Sequence, residues 1–222
     1  MGYSTLWCFS ATMKDSASNS NNKRKIIALN RICFRKKYYG LGGFLKKSIP
    51  KKIHIIGSVG SGKTTLAKEI SSKLDIPYYE LDNVVWIRKK SGDIRRTEEE
   101  REEYLNRIIQ SENWIIEGVH NEDWVSNCFH SADLIIFLDT KYSTRTYRII
   151  KRFLKQKLRL EKSNYKPTLE IFFKMFKWDR YFEEVGKVNF FNKYGTHNDK
   201  IEVINNTNSI KKYFNYHENS LL

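Results

Sequence analysis

Eight consecutive residues, Gly57-Ser58-Val59-Gly60-Ser61-Gly62-Lys63-Thr64, form a complete G-x-x-x-x-G-K-[ST] octapeptide, and these residue types suit the holding of a polyphosphate. The glycines let the backbone curl so that successive amides point inward at anionic oxygens, and a helix starting there adds the positive end of its dipole. Lys63 would reach the β- and γ-phosphates, Thr64 would place its hydroxyl on Mg²⁺, and Thr65 follows beside the same phosphates. The chemistry in view is binding of ATP with Mg²⁺ and transfer of the terminal phosphoryl group. Chance produces such a pattern in about one chain in a hundred of this length. Here the context also fits: the apolar run Ile53-His54-Ile55-Ile56 precedes the loop as a buried strand, and Leu66, Ile70 and Leu74 follow at helical spacing until Pro77.

Phosphoryl transfer further needs the metal held, the γ-phosphoryl charge neutralised and an acceptor oxygen aligned. Glu117 and Asp139 each end an apolar run, and either could hold the metal through water. Glu117 is the favoured metal residue, since an Asp-Thr pair after a strand also suits a helix cap. Asp82 could orient or deprotonate an acceptor hydroxyl; as a turn or cap residue it would do neither. Arg145, Arg148, Lys151 and Arg152 stand at i, i+3, i+6 and i+7, along one side of a helix. Massed like charges invite an anion, and the forked guanidinium of Arg suits a triphosphate. In the alternative, Tyr147, Ile149, Ile150, Phe153 and Leu154 pack as an apolar side while the basic side is only solvated.

These residues must be positioned by alternating strands and helices, and from Lys51 onward the chain has that texture, which implies βαβ units and a parallel sheet. Expected strands run over Ile53–Ile56, Tyr78–Asp82, Trp114–Gly118, Leu134–Asp139 and Ile201–Ile204, with a closing helix from Ser209. Thr97-Glu98-Glu99-Glu100 has the form of a capping box opening a helix that buries Tyr104, Leu105, Ile108 and Ile109. The loop, Asp82, Glu117 and the basic segment all fall beyond the carboxyl ends of strands, where ligands of open parallel sheets bind.

With 222 residues and 40% hydrophobic content the chain can build a proper core. Its formal net charge of +15 is unevenly spread: residues 1–50 carry +9, residues 141–180 carry +10, and the rest sums to −4. The first block reads as a disordered basic extension, which is either merely solvated or an arm for nucleic acid or a membrane surface. Cys8, Cys33 and Cys128 are far apart and suggest neither a disulfide framework nor a zinc site, which suits a cytoplasmic location. No apolar stretch approaches the roughly 20 residues of a membrane span.

The span from about Lys51 to Tyr216 resembles the adenylate-kinase-like P-loop kinases, and especially a bacterial branch often labelled DNA topology modulation protein. The residues that carry the resemblance are Ile53 to Thr65, Glu80-Leu81-Asp82 with Trp86, Trp114 to Asn121, and Lys177 to Phe182. It implies an α/β P-loop NTPase fold over residues 51–222, with a five-stranded parallel sheet flanked by helices and a mobile basic lid over about 141–195. It also implies nucleotide-dependent kinase activity. Arg148 and Arg152 stand nine and thirteen residues after Asp139, as two lid arginines of adenylate kinases do. By carry-over Arg148 would lie on the adenine side of ATP and Arg152 on its phosphates, with Asn206 in the loop passing the adenine. The arginines with which adenylate kinases clamp an acceptor phosphate are replaced, their places falling near Trp86 and on Asn121. Arg88, Arg95 or Arg96 would have to substitute if the acceptor were a nucleoside monophosphate. The resulting expectation is a monomeric kinase using ATP and Mg²⁺ on a small-molecule acceptor, a nucleoside or another hydroxyl compound. A nucleotide-binding, nucleic-acid-associated regulator is the alternative.

Overall fold

In the computed structural model, residues 49–89, 92–161, 167–195 and 199–208 are described. Nearly all of the expected extension, and the helix expected from Ser209, lie outside them. The chain enters strand β1 (Lys52–Gly57), passes the glycine-rich loop into helix α1 (Lys63–Leu74), and forms β2 (Tyr78–Glu80), α2 (Leu81–Val85) and a small hairpin of β3 (Trp86–Ile87) and β4 (Ile94–Arg95). Helix α3 (Glu98–Gln110) leads to β5 (Trp114–Gly118), a 3₁₀ turn and α4 (Ser126–Ser131), then β6 (Leu134–Leu138). Three helical segments follow, α5 (Tyr142–Lys157), α6 (Leu169–Tyr181) and α7 (Lys187–Tyr194), before β7 (Ile201–Ile204).

Five strands form one parallel sheet in the order β2-β5-β1-β6-β7. The central three, β1, β5 and β6, are near-continuous apolar runs because helices cover both faces. Alternation divides them between two cores. Ile53 and Ile55 pack with Leu66, Ile70, Ile115 and Ile136 under α1, whereas Ile56, Trp114, Ile116 and Phe137 pack with Phe129, Phe190 and Phe191 on the opposite face.

The capping box forms as expected, with Thr97 accepting from Glu100 N–H and the Glu100 side chain returning to Thr97 N–H. Helix α1 stops two residues before Pro77, at Asp75, whose left-handed φ of 53° returns its N–H to Ser71 O. The second strand also ends early. Backbone pairing with β5 stops at Glu80, and Asp82 lies in the first turn of α2 rather than on the strand.

Helix α5 is turned differently from the amphipathic alternative in the sequence. Arg145 is buried, while Tyr147, Ile150 and Leu154 are exposed. The cause is ionic: Asp179 on α6, fully buried, accepts from Arg145 Nε at 2.6 Å, and Glu183 in the π-helical turn Phe182–Gly186 accepts from Arg145 Nη2 at 3.1 Å. A buried guanidinium with two carboxylates fixes the rotation of the helix, and Ile149 is the apolar residue that turns inward.

Candidate active site

The loop's shape depends on two glycines. A Cβ on Gly57 would stand 2.9 Å from Leu138 O and from Ser61 Oγ, so only glycine lets β1 and β6 close on the loop at this point. Gly62, with φ of 103°, turns the backbone into α1 so that the helix starts at Lys63. Lys63 Nζ donates to Ser58 O at 3.0 Å and bridges the loop. Lys63 is half-buried, and desolvation lowers its pKa, with the charges of Glu117 and then Asp82 acting in the opposite sense.

Thr64, one residue further along α1, donates its hydroxyl to Glu117 Oε1 at 2.5 Å. Glu117 ends β5, only 5% exposed, and burial raises its carboxyl pKa against the pull of Lys63 and Thr64. A buried carboxylate whose charge is only partly compensated, touching a hydroxyl, is a hard-oxygen pair of the kind Mg²⁺ takes alongside waters and phosphate oxygens. These two residues therefore fit the metal that the loop implies. Asp139, the other candidate from the sequence, accepts instead from Lys187 Nζ at 2.6 Å.

The predicted basic residues separate into different roles. Arg148 Nη1 donates to Ser61 O at 2.7 Å and Gly60 O at 3.2 Å, lying directly on the loop. Arg152 is exposed on the next turn, 3.8 Å from Glu161. Arg145 belongs to the framework: Asp179 also accepts from Ser58 Oγ at 2.5 Å, and Thr140 Oγ1 donates to Ser61 O at 3.0 Å, so the loop is tied to the start of α5 and to α6 through buried groups. Asn206 lies beyond β7, its side chain accepting from Asn208 N–H, and is not among the residues lining the cavity described next.

A cavity of about 900 Å³ opens over the loop. It is lined by Lys63, Thr64 and Thr65, by Arg148, Lys151 and Arg152, and by Val59, Gly60 and Gly62 of the loop. Asp82, Trp86, His120, Trp178 and Phe182 line it too, with His120 Nε2 4.0 Å from Asp82 Oδ1. Its volume lies at the upper end of the range for small-molecule sites. Of Arg88, Arg95 and Arg96, the first and the last are engaged within the protein. Arg88 donates to Asn83 Oδ1 at 3.0 Å and to Asp93, and Arg96 donates to the carbonyls of Asn83 and Val84. Asn121 donates to Gly186 O at 2.7 Å, holding the β5 loop to the π-helical turn.

Sequence reasoning did not single out His120, Trp178 and Phe182 as residues of this cavity. His120 is 7% exposed, and its Nδ1 stands 3.1 Å from Glu122 Oε2. The His-x-Glu spacing just after a strand that ends in an acid was the available signal. Trp178 and Phe182 stand in the Lys177 to Phe182 segment that carries the resemblance, where they were given no role of their own.

No protein-family model matches the chain. An uncharacterized protein of Bacillus subtilis, YqaC, is 31% identical over 100 residues, which are 45% of this chain and 54% of YqaC. The chain thus spans about half the length of that curated relative. Among solved structures, a shikimate kinase from Bacteroides thetaiotaomicron is 16% identical with a TM-score of 0.44, covering 78% of this chain and 99% of its own. An uncharacterized protein from Eubacterium ventriosum is 17% identical with a TM-score of 0.45, covering 73% and 97%. A sugar kinase from Janibacter is 17% identical with a TM-score of 0.35, covering 57% and 75%. These likenesses concern fold alone, and none of these names carries the DNA-topology label.

Proposed function

We propose that this chain is a P-loop kinase that transfers the γ-phosphoryl group of ATP to a hydroxyl group of a small molecule. The observation that carries the reading is the Lys63–Thr64–Glu117 cluster in a cavity that is also lined by Asp82, His120 and three aromatic side chains; we take the first group as its phosphate end and the second as its acceptor end. Bound Mg²⁺ would neutralise charge on the β- and γ-phosphoryl oxygens. The chain's own residues supply the rest. The loop amides and Lys63 hold the phosphates, Thr64 and Glu117 hold the metal, and Arg148 and Arg152 close the phosphate end from α5.

The direction in which the basic residues face supports this reading over binding of a nucleic-acid backbone. Arg148, Lys151, Arg152 and Lys155 all line the cavity over the loop. The engagement of Arg88 and Arg96 supports a hydroxyl acceptor over a monophosphate, because a second phosphate would find no uncommitted guanidinium from either residue. Trp86, Trp178 and Phe182 suit a flat or apolar body on that acceptor, as in a nucleoside.

A screen of nucleosides, nucleoside monophosphates and small polyols for acceptor-stimulated ADP release tests the reading. Stimulation by a nucleoside or polyol is expected. Stimulation by monophosphates alone would reassign the acceptor, and no stimulation by any compound of the panel would reject the kinase reading.

A further inference from the structure

Resting on the hydroxyl-kinase reading above, we propose that His120 takes the proton from the acceptor hydroxyl, with Glu122 fixing its tautomer and Asp82 facing it across the acceptor end of the cavity. His120 follows β5 three residues after Glu117, so the strand that presents the metal carboxylate also delivers the imidazole to the same cavity.

The geometry specifies which nitrogen works. Glu122 Oε2 lies 3.1 Å from His120 Nδ1 and also accepts from Asn121 N–H at 3.2 Å. Partial burial pulls the Glu122 carboxyl up, but the hydrogen bond and charge of His120, together with the backbone amides of Glu122 and Asn121, outweigh this and hold it below its usual range. A carboxylate at Nδ1 makes that nitrogen the donor and leaves the lone pair on Nε2. Nε2 is the nitrogen that faces Asp82, with Oδ1 4.0 Å away. Trp124 packs against the imidazole in an edge arrangement, the ring centroids 5.1 Å apart, and Arg101 stacks over Trp124 at 4.5 Å. His54, the other imidazole whose charge bears on this site, is wholly buried on β1. Burial first and His120 second push its pKa down to about 3, so it stays neutral and does not compete for the proton.

Nε2, with its lone pair outward, is the nitrogen able to accept a proton. An acceptor oxygen about 2.8 Å from Nε2 would lie within ordinary hydrogen-bond reach. As the oxygen's electron pair forms the bond to Pγ, its O–H bond breaks and the proton passes to Nε2. The Pγ–O bond to the β-phosphate breaks, and its electron pair leaves on ADP. The imidazolium is then flanked by Glu122 and Asp82, both carboxylates, and returns its proton to water after product release. The side chain of Asp82 is 68% exposed, open to a second hydroxyl of the acceptor.

The test uses the full chain with Mg-ATP and a set of five probes: adenosine, guanosine, cytidine, uridine and thymidine. His120→Ala should lower kcat about a hundredfold with the KM for ATP held within about twofold, and added imidazole should restore part of the rate. Glu122→Gln should lower kcat about tenfold with ATP affinity retained. His120→Gln serves in place of the alanine variant if that variant does not fold. Independently of turnover, long-range ¹H–¹⁵N correlation of histidine-labelled protein should show His120 protonated at Nδ1, with His120→Gln providing the assignment. Wild-type rates in a folded His120 variant, or a His120 protonated at Nε2, would overturn the proposal while leaving the kinase reading intact. Failure of the wild type to phosphorylate any of the five nucleosides would overturn both for this substrate class.

Discussion

The two ends of the cavity are built in opposite ways. The proposed phosphate end is dominated by one contiguous octapeptide, whose backbone course follows from where the glycines stand, and β5 and α5 add only Glu117 and a few cations to it. The acceptor end is assembled from α2, the loop after β5, and the α6 region, which supply Asp82, His120, Trp178 and Phe182. A site carried mainly by one short segment keeps most of its chemistry wherever that segment folds, whereas a site spread evenly over several keeps it only while the sheet holds them in register. The first end should therefore govern whether any transfer occurs, and the second should govern to what.

That division can be broken by substitution. Lys63→Ala should lower phosphoryl transfer about a thousandfold with every acceptor, measured as initial rates of ADP release. A loss confined to one acceptor would erase the distinction between the ends. Arg145→Ala should strand Asp179 in the interior and destabilise the fold by about 3–5 kcal/mol in denaturant unfolding, because this buried pair ties the loop to α6. Arg152→Ala should slow transfer about a hundredfold while the protein stays folded, as its guanidinium is exposed and paired only loosely. Trp178→Ala should raise the acceptor KM about tenfold and leave the KM for ATP unchanged.

The smallest effect is expected outside both ends. Burial pushes the Glu202 carboxyl on β7 up to about 6, above its usual 4.5, so the folded state holds that proton longer than the unfolded chain does. This contribution to stability is complete below about pH 4.5 and is lost as the pH rises through 6. Glu202→Gln should therefore stabilise the protein by about 1 kcal/mol at neutral pH, after allowance for solvent around a half-buried group, and by nothing in acid. Thermal unfolding at the two pH values checks it, and kinase rates should not move.

What the sequence made legible follows the same division. Strands β1, β5, β6 and β7 were readable because their apolar runs have no other stable use, and the capping box at Thr97 because it is complete within four residues. Asp82 was misplaced onto a strand because Tyr-Tyr-Glu-Leu-Asp continues a plausible extended pattern. Its end is decided by where pairing with β5 stops. Arg145 was grouped with the phosphate-facing cations because helical spacing gives i and i+3 the same side. Its carboxylate partner lies 34 residues away, and nothing local announces it. His120 was passed over although Glu122 stands two residues away, since the second carboxylate beside it, Asp82, arrives from α2.

Calorimetric titration of the full chain with Mg²⁺ and a non-hydrolysable ATP analogue tests the central claim most directly. The account predicts one saturable site in the wild type, abolished by Lys63→Ala and deprived of its Mg²⁺ dependence by Glu117→Gln. Absence of binding by the wild type, or binding that both variants retain unchanged, would contradict it.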